Sequence, residues 1–137
     1  MAEIGEVVVA LRIFGDELDP PEISTLLGAT PTAVRKKGDI RTVSSGQRVV
    51  ARTGLWEFKA GRRSPGDLDT QVGHLFSLLS PDLTAWQHLA ERYECRVDCG
   101  LFMRERNESG ELRPETLALL VARGVVLTFD IYDPIPD

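Results

Sequence analysis

The sequence predicts an α+β domain, a mostly antiparallel sheet with helices packed on one face. Two observations carry this. Runs of β-branched or alternating apolar residues at Val7–Phe14, Cys95–Arg104 and Val125–Tyr132 read as strands, whereas apolar residues three and four apart behind capping residues and prolines read as helices. The elements fall in the order strand, helix, two or three strands, two helices, strand, helix, strand. At 137 residues the chain suffices for one domain with its own core, residues 1–132, and a short tail, 133–137, carrying two prolines.

Val7–Phe14 is apolar apart from Arg12 and is expected to be central and buried on both faces. Gly15 turns the chain, and Asp19 stands where a helix N-cap belongs, followed by Pro20 in the first turn. Glu22, three residues after the cap, completes a capping-box pattern, and Leu18 and Ile23 have hydrophobic-staple spacing. Gly28 and Pro31 end this helix, whose apolar stripe is Ile23, Leu26 and Leu27. Ala33–Lys37 leads through Gly38-Asp39 to a strand near Ile40–Val43, and Ser44–Gln47 turns it back along Arg48–Arg52. Gly54 is a bulge or a bend before Leu55–Phe58, which leaves open whether Trp56 points inward.

Gly61–Gly66 reads as a loop, and Asp67 caps a helix with the stripe Leu68, Val72, Leu75, Phe76 and Leu79. Ser80-Pro81 opens the next, striped by Leu83, Trp86, Leu89, Ala90 and Tyr93. In Cys95–Arg104 the odd residues Cys95, Val97, Cys99, Leu101 and Met103 share one face and Arg96, Asp98, Gly100, Phe102 and Arg104 the other. Asn107–Gly110 is a polar turn. Pro114 starts a helix carrying Leu117, Leu120 and Val121 that stops at Gly124, and a final strand follows. The stretch 110–120 echoes 15–27 in its glycine, leucine, proline, glutamate and paired leucines. If that echo is a structural repeat, two strand-helix-strand halves form a ferredoxin-like arrangement with an additional helix and strand inserted between them.

No apolar run approaches the ~20 residues of a membrane span, and Met1–Glu6 lacks the pattern of a signal peptide, so a cytoplasmic protein is expected. Cys95 and Cys99, about 13 Å apart on one strand, are expected to be free, buried thiols. The net charge of −5 conceals an asymmetry: residues 35–63 carry nine basic and two acidic side chains, +7 locally, which leaves −12 for the remainder. Such polarity points to an electrostatic partner.

The strand ending Leu11-Arg12-Ile13-Phe14-Gly15, the entry Leu18-Asp19-Pro20, Ile23 to Leu27-Gly28, Pro31-Thr32, Lys37-Gly38-Asp39 and Gly54-Leu55-Trp56 together resemble the bacterial domain-of-unknown-function family numbered 4279. The resemblance covers nearly the whole chain. It implies a small, single-domain, bacterial cytoplasmic α+β protein, and it implies no activity and no catalytic residues.

Arg35, Lys36, Lys37, Arg41, Arg48, Arg52, Arg62 and Arg63 form the candidate binding set, with Trp56 as a stacking platform for a base or sugar. The competing reading is that strands simply expose these arginines and pair them with the acidic remainder. His74 and His88 lack a third ligand at metal-site spacing, so no metal and no cofactor is expected. Asp98 and Asp130 each interrupt an extended segment and could form an acid/base pair if their strands are neighbours; the alternative is pairing with Arg96 and Arg104. Phosphate loops, nucleophile elbows and HExxH motifs are missing, so an enzyme is unsupported. The expectation is a small non-enzymatic protein-binding module of the immunity or accessory type, meeting a protein partner or its own copy through opposite charge poles. Anion, ligand or single-stranded nucleic-acid binding through 35–63 is the alternative.

Overall fold

A computed structural model describes residues 2–134; the end of the expected tail, 135–137, lies outside the described residues. In chain order the elements are β1 (Ala2–Glu3), β2 (Glu6–Gly15), α1 (Pro20–Leu27), β3 (Ala33–Arg35), β4 (Ile40–Thr42), β5 (Arg48–Val50), β6 (Gly54–Arg63), α2 (Leu68–Ser77), α3 (Leu83–Arg92), β7 (Glu94–Phe102), β8 (Glu108–Ser109), α4 (Pro114–Arg123) and β9 (Val126–Tyr132). The fold is α+β.

The main sheet has the order β3-β6-β2-β7-β9, antiparallel except that β9 runs parallel to β7. Up to β7 the path β2-α1-β3-β6-α2-β7 places its first and third strands at the centre and its second and fourth outside, the ferredoxin-like order. The expected strand insertion between the two halves is the β4–β5 hairpin, whereas the additional helix, α3, lies within the second half before β7, and an α4-β9 unit is added at the C-terminal end. The sequence echo joins α1 to α4, but the second ferredoxin-like half is β6-α2-β7, and α4 belongs to the added crossover.

The helices cover one face of the sheet. There Val7, Val9, Leu11 and Ile13 of β2 lie beside Cys95, Val97, Cys99 and Leu101 of β7, under Ile23, Leu27, Val72, Leu75, Phe76, Trp86 and Leu89. Strand β2 is central, as expected, but its even residues line the open face, where Arg12 finds partners. Asp19 and Asp67 cap α1 and α2 as the sequence predicts, accepting from Glu22 and Thr70 backbone N–H at 3.3 and 3.1 Å, but α3 starts after Ser80-Pro81, where Asp82 is the cap and accepts from Thr84 backbone N–H at 2.9 Å. The capping box stays half-made, because the Glu22 carboxylate turns to Arg92 and His88 of α3.

Strand β6 is longer than expected. Val8 stands opposite Arg62 and Ala10 opposite Lys59, so β6 carries one extra residue there, and Gly61, at φ +102°, absorbs it as a bulge. Gly54, by contrast, pairs regularly with Gly15, and a Cβ on it would come within 2.6 Å of the Gly15 carbonyl oxygen. Up to the bulge the even residues of β6 therefore face the core, and Trp56 is completely buried opposite Ile13, donating from Nε1 to Ser24 Oγ at 3.1 Å. Residues 107–110, expected as a turn, contain β8, which pairs in parallel with β1. On α4, Leu120 is buried whereas Leu117 and Val121 are exposed; Thr116 and Arg123 take the inner positions instead. Leu83 of α3 is likewise exposed, and Ala85 is buried.

Candidate functional site

Two surfaces concentrate charge. The first is an arm. Gly38 N–H donates to the Ala51 carbonyl and Ala51 N–H to that of Asp39, each at 2.8 Å, closing the base of a hairpin whose strands β4 and β5 pair with each other and not with the main sheet. Gly46, at φ +85°, donates to the Val43 carbonyl at 2.8 Å in the tip. Because no helix backs this hairpin, its apolar residues meet solvent: Ile40 and Val50, opposite each other, are 62% and 56% exposed. Around them stand Arg41 and Arg48 on the strands and Arg35, Lys36, Lys37 and Arg52 at the base. Arg35 and Arg41 share a depression of about 230 Å³ with Asp39, Ile40 and Ala51. Lys37 reaches Asp16 at 3.1 Å and ties the base to the turn after β2. Lys37 and Thr53 hold that carboxyl below its ordinary value.

The sequence-predicted basic set is thus divided. Arg35, Lys36, Lys37, Arg41, Arg48 and Arg52 gather on the arm and its base. Arg62 and Arg63 stand near the far end of β6, roughly 25–30 Å of strand away, beside a separate depression reached by Thr70, Gln71 and His74, and Arg62 pairs with Glu6 at 3.0 Å. Trp56 leaves the set: a fully buried indole cannot stack on a ligand's base.

The second surface is the open sheet face. Cross-strand register sets Glu57, Arg12 and Arg96 in one row and Lys59, Ala10, Asp98 and Thr128 in the next. Arg12 Nε donates to Glu57 Oε2 at 2.6 Å and its Nη1 to Asp98 Oδ2 at 2.8 Å. Arg96 Nη2 donates to Asp98 Oδ2 at 3.2 Å; its Nε, 2.7 Å from Oδ1, is out of line for a hydrogen bond. Thr128 Oγ1 also donates to Asp98, and the Arg96 guanidinium lies 4.6 Å from the centre of the Phe14 ring. Glu57 and Asp98 are buried although no helix covers them, because the two arginine stems and neighbouring rings shield them.

In this cluster Arg12, Arg96 and Lys59 stand against Glu57 and Asp98, and every carboxylate has a donor. Burial pushes the Asp98 carboxyl up, but hydrogen bonds from Thr128, Arg96 and Arg12 outweigh it and leave the group below its ordinary value. A carboxylate so held is a weak base and is not an acid near neutrality. β7 and β9 are indeed neighbours, with Asp98 opposite Thr128 and Asp130 opposite Gly100, yet Asp98 is taken by guanidinium groups, and the acid/base arrangement does not form.

The remaining candidates are accounted for locally. His88 meets Glu22 at 3.2 Å and Arg92 at 2.9 Å, stitching α3 to α1, while His74 is exposed on α2. Cys95 and Cys99 are free and buried, and burial pushes both thiols up to about 12. Among the described residues no group of three His, Cys, Asp or Glu side chains could hold a metal ion, and no helix is long and apolar enough to cross a membrane. Sequence reasoning missed Arg12 and Glu57 as partners; their opposite charges within two apolar strands were the available signal.

No curated protein and no solved structure matches the chain. A family model does match, over residues 5–134, and the chain belongs to the family it describes, Domain of unknown function (DUF4279).

Proposed function

We propose that this protein is a non-enzymatic protein-binding module of the bacterial cytoplasm, an immunity-type or accessory protein that presents the β4–β5 arm to an acidic protein surface. The arm is the observation that carries this reading. Exposed Ile40 and Val50 supply an apolar centre with Arg48 on the same face of the hairpin, and Arg35, Arg41 and Arg52 add positive charge to the rest of the arm, an apolar patch with cations about it as in protein-docking surfaces. Burial there would repay solvent exposure that contributes nothing to the fold. The inward, hydrogen-bonded position of Trp56 weighs against base stacking, and the pairing of both buried carboxylates with Arg12 weighs against catalysis.

The test is affinity capture from native lysate with the full chain, beside a variant carrying Ile40→Ser, Val50→Ser, Arg41→Glu and Arg48→Glu. An acidic protein retained in stoichiometric amount by the wild type, released as salt rises and lost with the variant, is the expected result. A partner held equally by the variant would move the docking surface elsewhere. Salt-dependent binding of single-stranded oligonucleotides by the purified wild type, with no protein captured, would overturn the reading in favour of nucleic acid.

A further inference from the structure

The two edges of the main sheet are treated differently by the chain. At one edge β3 is only three residues long, and Lys36-Lys37 follow it directly, two ordinary protections against edge-to-edge pairing. At the other edge β9 extends for seven residues, Val-Leu-Thr-Phe-Asp-Ile-Tyr, with no lysine, proline or bulge, in unbroken register with β7 from Val126 to Tyr132. Among the described residues nothing pairs with its outer side. Phe129 and Ile131, on the helix-covered face, are 45% and 64% exposed, and Val126 and Tyr132 on the other face are about half exposed. Such an edge is a strand prepared for a neighbour.

Its backbone polarity can be read. The Tyr132 carbonyl accepts from Met103 N–H at 3.1 Å, so Tyr132 directs its peptide groups toward β7, as do Asp130, Thr128 and Val126 by alternation. Leu127, Phe129 and Ile131 therefore offer their N–H and C=O groups outward. We infer that β9 is a homodimer interface, pairing antiparallel with β9 of a second copy about a two-fold axis at Phe129.

That register is chosen by charge and by hydrogen bonding. With Phe129 opposite its own copy, Leu127 meets Ile131 of the second copy in each direction, so all three outward residues form hydrogen-bonded pairs, about six bonds in all. Asp130 then faces Thr128 of the second copy, and Val126 faces Tyr132. Centring on Asp130 would set two carboxylates in direct opposition, which is unfavourable. Centring on Thr128 would set Asp130 against Val126 and leave Ile131 beyond the end of the partner strand. The two-fold axis is perpendicular to the sheet, so both helix layers lie on the same side, and Leu117 and Val121, the exposed apolar residues of α4, are carried with them.

The experiment is sedimentation equilibrium of the full chain over a concentration and salt series, with amide hydrogen exchange read on the same samples. The wild type should reach twice the chain mass, with little salt dependence, and Leu127, Phe129 and Ile131 amides should be protected in the dimer. Ile131→Pro removes only an outward N–H, which an edge strand tolerates; it should shift the protein to monomer, keep the circular dichroism spectrum and expose the Leu127 and Phe129 amides to exchange. A monomeric wild type overturns the inference. So does a dimer that survives Ile131→Pro, or one whose outward amides exchange freely. Dissociation by salt alone would overturn it too, assigning association to the opposite charge poles.

Discussion

Arg12 and Asp98 sit on adjacent strands and meet at 2.8 Å between Nη1 and Oδ2, and the same guanidinium holds Glu57 at 2.6 Å on the other side. One cation thus bridges three strands of the open face and serves two buried carboxylates. Arg12→Met leaves Glu57 with Lys59 at 3.9 Å and Asp98 with Arg96 and Thr128. Because the arginine side chain is a third exposed, the loss should fall below the 3–5 kcal/mol of a fully buried pair, at about 2 kcal/mol. Urea unfolding measures it. Arg12→Met with Glu57→Gln and Asp98→Asn should recover part of the loss, because the stranded charges are then removed.

The same cluster sets an acid limit. The folded Asp98 carboxyl lies below its ordinary value of 3.8, so the folded state binds its proton less readily than the unfolded chain. Its contribution is therefore complete above the ordinary value and is lost as pH falls through the lower, folded value. Glu22, held down by Arg92, and Asp69, held down by the Arg113 backbone N–H, act in the same direction. Urea midpoints should be level from neutrality to about pH 5 and decline below that. Asp98→Asn should flatten the decline; an unchanged slope in that variant would assign the acid limit to other carboxyls.

Helix starts and stops were legible in the sequence because capping is a local matter. Asp19, Asp67 and Gly124 act within one turn of chain, and no distant residue competes for them. The alternation of Cys95–Leu101 was legible for the same reason. What could not be read was set by pairing. Gly61 looks like the start of a loop until β2 supplies the partner strand that makes it a bulge, and that bulge lets β6 continue to Arg63. Trp56 depends on the regular pairing of Gly54 with Gly15, which the choice between bulge and bend left open. In the candidate site, composition revealed the basic arm, but the separation of Arg62 and Arg63 from it follows from the length of β6. Arg12 looked like an interruption of a buried strand because its two acids lie 45 and 86 residues away.

The thiols give a simple check on the helix-side face of β7. Cys95 and Cys99 are buried, alternate along one strand and are pushed up to about 12 by desolvation, so neither ionises near neutrality. A disulfide-exchange reagent should modify neither in the folded protein at pH 8 and both in urea, at a rate limited by opening of the fold. Rapid labelling of either thiol in native buffer would mean that β7 lies closer to solvent than the packing under Leu75 and Leu89 allows.

Arg123 presents the opposite problem from Arg12, a buried cation with no carboxylate paired to it among the described residues. Its guanidinium lies 5.0 Å from the Phe76 ring centre and 5.8 Å from that of Trp86, and Nη1 donates to the Leu119 carbonyl at 3.3 Å. Among the described residues Nε has no partner, and burial pushes the group below the ordinary arginine value. Ring attraction is worth about 0.5–2 kcal/mol, and the unsatisfied donor costs about 1–3 kcal/mol. The two nearly cancel, while a thioether of similar length keeps the packing without the desolvation. Arg123→Met should therefore leave the urea midpoint unchanged or raise it. A loss above about 2 kcal/mol would show that the rings hold this cation strongly enough to make it part of the α2–α3–α4 core, and Arg123→Lys would then fall between the two.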